Sequence, residues 1–353
     1  MNKIINFLKK KTIPLDKFIE ISLYNKNFGY YMKKNPFGKE GDYITSPLIS
    51  NLFSEMITVW CVSFWESLGR PKKILITELG PGDGSLCIGI LNASKNFKKF
   101  YESVEINLLE KSKNLETIQK KKIKNKKVKW IKTINEINKG PIIFVGNEFF
   151  DALPIKQIFR KKNLFFEKYV SFSDKKQKFI FLLKKAKKNL INDIKKHNLV
   201  FDNDIIEYPI NSIKYLKLIA KKIKRYNGGL LTFDYGYTSK KNKNTLQSVK
   251  KHKYINILSS PGESDITSHI NYNLFFKILK NNGLDVKKIT SQSKFLQKLG
   301  IIERANILSN RISFKDKADM FFRLKKMLHK NEMGNLFKVF FAKKKGERFS
   351  LGF

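Results

Sequence analysis

Gly80, Pro81, Gly82, Asp83 and Gly84 carry the first chemistry legible in this chain of 353 residues. They follow Lys73 to Leu79, which reads as a buried strand, and lead into a helical pattern. Glycine at every second position lets a backbone take positive φ without strain and approach a ligand closely. That is the chemistry of a nucleotide-type cofactor loop, although a glycine-rich turn with no ligand has the same pattern. The dinucleotide fingerprint G-x-G-x-x-G places its third glycine one position later, whereas here Ser85 stands in that position and Gly84 falls early. Glu78, two residues before the first glycine, could receive an amino group but would repel a pyrophosphate. Both departures favour S-adenosylmethionine (SAM) over a dinucleotide, with Glu78, Gly80, Gly82 and Gly84 as cofactor-binding residues.

Further acids fall where strand patterns end. Ile106 to Glu110 reads as a second strand, and Glu110 lies 26 residues past Gly84. A carboxylate there can accept both hydroxyls of a ribose; an exposed strand-end cap is the other role open to it. A fourth strand, Pro141 to Val145, runs into Gly146-Asn-Glu-Phe-Phe-Asp-Ala-Leu-Pro154, and a fifth, Gly229 to Gly236, contains Asp234 near its end. Glu148, Asp151 and Asp234 should therefore approach one mouth of the sheet. Carboxylates in that position would hold a cationic substrate and favour loss of its proton, unless they serve as N-caps or loop braces. His269 could accept a proton or be structural.

The elements that position these residues alternate between strand and helix across 72–154 and 209–353. This predicts an α/β, Rossmann-like parallel sheet with right-handed crossovers and ligands beyond the carboxyl ends of its strands. Residues 1–71 read as an N-terminal helical cover. Its Gly- and Pro-rich loop 35–47, with Thr45, either lies over a bound cofactor or is a surface loop. Ser46-Pro47 is expected to cap a helix running to Leu68. Residues 155–208 read as an insertion on the substrate side: three short strands, then a lysine-rich stretch expected to pack poorly. Tyr237 to Ser260 reads as a polar loop.

The net charge of +41 invites a nucleic-acid partner, yet only seven of the 71 basic residues are arginines. Arginine makes the forked contacts to phosphates and bases, whereas lysine is a solvated point charge. The spread of lysines along the whole chain argues for a solvated surface rather than a nucleic-acid face. Cys61 and Cys87 have no metal-type spacing, and no metal site is expected. No apolar run reaches the roughly 18 to 20 residues needed to span a bilayer, so no membrane insertion is expected. The lysine-rich start has no signal or transit pattern, which favours a bacterial cytoplasm, or the mitochondrial matrix for an organellar protein.

Taken together, Gly41-Asp-Tyr-Ile-Thr-Ser-Pro47, Glu78-Leu-Gly-Pro-Gly-Asp-Gly84, Asn147-Glu-Phe-Phe-Asp-Ala-Leu-Pro154, Asp234-Tyr-Gly236, Thr245-Leu-Gln247 and Met333-Gly-Asn-Leu-Phe-Lys-Val339 resemble, in order, the blocks of the MidA-like class I SAM-dependent methyltransferases. The resemblance covers nearly the whole chain. It implies a seven-stranded sheet with the last strand antiparallel, and methyl transfer to protein arginine in the assembly of respiratory complex I. It places the methionine end of SAM on Glu78, Gly80, Gly82 and Gly84, the ribose on Glu110, and Asn147 facing the reacting methyl. Asp83 stands where the family usually has Arg, and Asn271 where it usually has Asp. Two other functions fit the same residues: an RNA methyltransferase, which the charge suggests, and a SAM-binding assembly chaperone without catalysis.

Overall fold

The computed structural model describes residues 3–33, 36, 46–199, 205–239 and 243–353. Seven strands build the central sheet: β1 (Ile74–Leu79), β2 (Val104–Leu109), β3 (Val128–Ile131), β4 (Ile142–Asn147), β5 (Gly228–Tyr237), β6 (Leu284–Val286) and β7 (Phe337–Lys344). Their order is β6-β7-β5-β4-β1-β2-β3. Strands β1 to β5 pair in parallel, and β7 runs antiparallel to both β5 and β6. The short strands Ile270–Asn271 and Thr290–Ser291 extend β5 and β7 at their edges. The α/β pattern and the antiparallel last strand are those expected.

Side chains on a strand alternate between faces, and both faces of this sheet are covered. Ile74, Ile76, Ile143, Val145, Leu231, Phe233, Val339 and Phe341 point into one layer, with α1 (Asn51–Ser67), α2 (Ser85–Ser94) and the C-terminal helices. Leu75, Leu79, Ile142, Phe144, Leu230 and Phe340 point into the other, with α4 (Ile210–Tyr226) and α5 (Tyr272–Asn281). Between the two sets in sequence, α3 (Lys113–Lys122) follows β2. Each such fully buried large apolar side chain contributes about 1.5–3 kcal/mol, which fixes the strand ends carrying the polar site. Among the described residues, no helix is long and apolar enough to cross a membrane.

Three local expectations change. Ser46 does not open one continuous helix: Ser46–Ile49 is a separate turn, and Ser50 caps α1 by accepting the Leu52 N–H at 3.2 Å. Extended backbone at Ser50, with φ −156°, breaks the run. The lysine-rich end of the insertion is also packed. Lys188–Lys196 is a helix that buries Leu190 and Ile194, and Ile205–Tyr208 pairs with Lys156–Lys161. Finally, the expected polar loop contains Gln247–Lys250 and Lys253–Ile255, which join Asp265–Thr267 in a three-stranded sheet.

The strands Lys156–Lys161, Leu164–Ser173 and Lys178–Lys185 form the antiparallel meander read from the sequence. Ile13–Pro14 pairs with its middle strand, and the helix Leu15–Tyr24 packs Phe18 and Leu23 against Val170, Phe179 and Ile266. This brings the N-terminal helices, the insertion and the small sheet together into a wall facing the carboxyl ends of β1, β2, β4 and β5.

Candidate functional site

The glycine loop follows β1. Gly80, Gly82 and Gly84 have φ of +64°, +56° and +86°, conformations that L side chains rarely adopt. A Cβ on Gly80 would stand 2.9 Å from the Phe149 ring, and one on Gly84 2.9 Å from Ile123 Cδ1. The Gly84 N–H closes the turn on Pro81 O, while Asp83 accepts the Ser85 N–H and pairs with Lys122 Nζ at 2.6 Å. The acid at position 83 thus ties the loop to α3. Behind the loop, Glu78 is 4% exposed and its Oε2 has no hydrogen-bond partner. Burial, with the charges of Asp83 and Glu110 nearby, pushes its pKa well above the usual carboxylate range.

Glu110 follows β2 and is buried. Its Oε1 accepts the Ser112 N–H at 2.6 Å and its Oε2 accepts from Gln119 Nε2 at 3.1 Å. Burial raises its pKa against these bonds, which favour the ionised form.

The turn after β4 carries Asn147, Glu148 and Asp151. Asn147 Nδ2 donates to Glu148 Oε1 at 3.1 Å, and its own Oδ1 is buried without a partner, as is Asp151 Oδ1. Glu148 sits in the left-handed region at φ +53°, its N–H bonded to Phe233 O. A non-glycine residue held there is strained, and such residues cluster at functional sites. Burial and the Asp151 charge push the Glu148 carboxyl up to about 8. Burial and the Asp234 charge raise Asp151 well above its ordinary value.

Asp234 serves as a loop brace, one of the two roles open to it from the sequence. Its Oδ2 accepts the N–H groups of Phe150 and Asp151 at 3.0 and 3.3 Å, and its Oδ1 accepts that of Tyr235 at 2.9 Å. The two bonds to Oδ2 tie the carboxylate to the turn, so Asp234 holds Asp151 in place.

These residues surround a cavity of about 480 Å³, within the range of small-ligand sites. Gly80, Gly82, Leu109, Glu110, Ser112 and Leu115 line one part; Glu148, Asp151, Asp265, Thr267 and His269 line another. Tyr24, Tyr31, Tyr215, Tyr235 and Tyr254 supply aromatic walls. Tyr24 and Tyr31 are stacked with ring centroids 5.6 Å apart, and the Tyr31 hydroxyl donates to Asp265 Oδ1 at 2.8 Å. Burial, with Lys243 nearby, lowers the His269 pKa and favours the neutral ring.

Of the residues singled out from sequence, Gly80, Gly82, Glu110, Glu148, Asp151 and His269 line the cavity; Glu78, Gly84, Asn147 and Asp234 stand behind its lining. Thr45 and most of the loop 35–47 lie outside the described residues. Asn271, at a position where an acid was expected, caps α5 by accepting the Leu274 N–H. Tyr24, Tyr31, Tyr215, Tyr254 and Asp265 were missed, because they come from the N-terminal helices, α4 and the small sheet, far apart in sequence. The glycines between hydrophobic blocks are local signals; a shared wall is not.

The residues present fit SAM: unpartnered acceptors on Glu78 and Asn147 flank a positive-φ glycine loop, and a buried carboxylate closes the next strand. Fold and site thus define a class I SAM-dependent methyltransferase. A family described as "Putative S-adenosyl-L-methionine-dependent methyltransferase" matches residues 56–290, and this chain belongs to it. It is 27% identical over 360 residues to "Protein arginine methyltransferase NDUFAF7, mitochondrial" of Xenopus laevis, covering 93% of this chain and 80% of that protein. The human protein of that name is 25% identical over 321 residues, covering 84% and 72% respectively. A crystal structure from Burkholderia thailandensis, bound to S-adenosylhomocysteine, shares the fold with a TM-score of 0.82 at 23% identity, covering 97% of this chain and 90% of that one.

Proposed function

We propose that this chain is a protein arginine methyltransferase whose substrate is a subunit of respiratory complex I or of its bacterial counterpart. The observation that carries the reading is the cavity in which Glu148, Asp151 and Asp265 face tyrosine rings beside the glycine loop and Glu110. When bound, SAM supplies a sulfonium methyl group for in-line displacement. Glu78 and the loop would hold its amino-acid end, and Glu110 its ribose. Methyl transfer asks for alignment above all, and the strain at Glu148 together with the Asp234 brace holds the acidic turn in a single shape. A guanidinium is planar, cationic and a donor of five hydrogen bonds. Carboxylates bind it through charge-assisted bonds, and tyrosine faces stack on it. Its proton must leave as the N–C bond forms; Glu148 and neutral His269 are the acceptors facing the cavity.

The names of the relatives support arginine, and the sequence resemblance supports complex I. Those relatives are named as mitochondrial, which supports the mitochondrial matrix for an organellar protein; the bacterial cytoplasm is the corresponding place for a bacterial one. The test is transfer of labelled methyl from SAM to complex I subunits and, separately, to total RNA, followed by mass spectrometry of the modified residue. Methylarginine on a subunit is expected. Label in RNA alone would favour the reading that the +41 charge suggests, and SAM binding with no transfer would favour the assembly chaperone.

A further inference from the structure

We propose that Gln119 positions Glu110 for the cofactor ribose, an inference that rests on the ribose role given to Glu110 above. Gln119 lies on α3 and is 0% exposed. Its Oε1 accepts the Trp130 indole N–H from β3 at 2.9 Å. An indole nitrogen only donates, so this bond fixes which end of the amide is oxygen. The Nε2 group must then face two acceptors, and these are Gly82 O at 2.7 Å and Glu110 Oε2 at 3.1 Å. One buried amide therefore joins the glycine loop to the carboxylate after β2.

Glu110 is held from its other side by the Ser112 N–H, and Ser112 caps α3 by accepting the Leu115 N–H. Both carboxylate oxygens are thereby held in place, with lone-pair capacity left for a ribose hydroxyl. Residues 115, 119, 122 and 123 share one side of the helix. Lys122 holds Asp83, and Ile123 packs where a Gly84 side chain would be. Without Gln119, the Glu110 carboxylate could rotate, and the loop carbonyl and the indole would both lose a partner.

The experiment measures binding of S-adenosylhomocysteine and of its 2′,3′-dideoxy analogue by calorimetry. The proteins are the wild type, Glu110→Ala, Gln119→Leu and the double variant, each checked for folding by thermal unfolding. The wild type should prefer the hydroxylated ligand by about tenfold or more, the scale of hydrogen bonds to a charged group. Gln119→Leu should lose most of that preference, while its affinity for the dideoxy analogue changes by less than about threefold. The double variant should then discriminate no less than Glu110→Ala alone. A Gln119→Leu protein that binds both ligands equally weakened, with the preference intact, overturns the inference and leaves the ribose role standing. If Glu110→Ala keeps the preference, the ribose role itself fails and this inference with it. Should Gln119→Leu not fold, Gln119→Met replaces it: a thioether of similar shape cannot donate, so the preference should again be lost while affinity for the dideoxy analogue is kept. A preference kept in Gln119→Met is the contrary result.

Discussion

Glu148 makes the binding of a cationic side chain depend on pH. Its carboxyl is pushed up to about 8 by burial and by Asp151, so near pH 7 only about one molecule in ten carries the charge. A guanidinium entering the cavity needs that charge, so binding must expel the proton. Apparent affinity for an arginine-containing peptide should rise about tenfold between pH 7 and pH 9 and then level off. At pH 7 close to one proton should be released per peptide bound, measurable by calorimetry in buffers of different ionisation enthalpy. Glu148→Gln should bind the peptide more weakly above pH 8 and show neither the slope nor the proton release. A slope that survives in Glu148→Gln would place the titrating group elsewhere. Affinity independent of pH in the wild type would refute a cation held by this carboxylate. The same shift acts on stability with a definite sign. Because the folded-state pKa lies above the ordinary value of 4.5, the folded chain binds more protons, and stability falls as pH rises from about 4.5 through 8.

Gly82→Val should weaken S-adenosylhomocysteine binding by more than about tenfold, since φ of +56° is strained for a β-branched residue; calorimetry showing unchanged affinity would contradict the loop assignment. Asp234→Ala removes the acceptor of three backbone N–H groups and should cost about 1–3 kcal/mol in denaturant unfolding. It should also depress methyl transfer with little effect on cofactor affinity. Tyr31→Phe deletes the bond to Asp265 Oδ1 and should raise KM for the protein substrate while leaving cofactor affinity within about twofold. An equal loss for both ligands would count against a substrate-side role for that wall.

The sheet and its loop were legible because their signals are local. Ile74, Leu75, Ile76 and Leu79 give Lys73 to Leu79 a strand pattern and the glycines after it admit few backbones, so β1, the loop and α2 follow from contiguous residues. Glu110 was legible for the same reason, as an acid closing the next strand. What escaped the sequence depends on contacts between distant segments. Leu190 and Ile194 lie four residues apart on one helix face but among lysines, so the apolar pair was obscured by its surroundings. Asp265 becomes part of the site only because Gln247–Lys250 pairs with its strand and Tyr31 reaches it from 234 residues away. Asp234 was found in sequence with two roles open to it. An acid at the end of a strand can face a ligand or hold a neighbouring turn, and only the positions of Phe150 and Asp151 decide between them.

The surface charge and the cavity charge act over different ranges, which reconciles a chain of +41 with a site built for a cation. Solvated lysines are screened within about 8–10 Å at ordinary salt. A buried carboxylate works through direct contact in a poorly screened interior. Lys111 lines the cavity, and it faces the rings of Tyr24 and Tyr215 at 5.7 and 5.8 Å. It stands beside Glu110, while Glu148 and Asp151 come from the turn after β4 and Asp265 from the small sheet. The surface can repel a basic protein at long range and the cavity can still select a cationic side chain once it arrives. Net charge thus bears on how fast a partner approaches, and the acidic turn after β4 on which side chain is accepted.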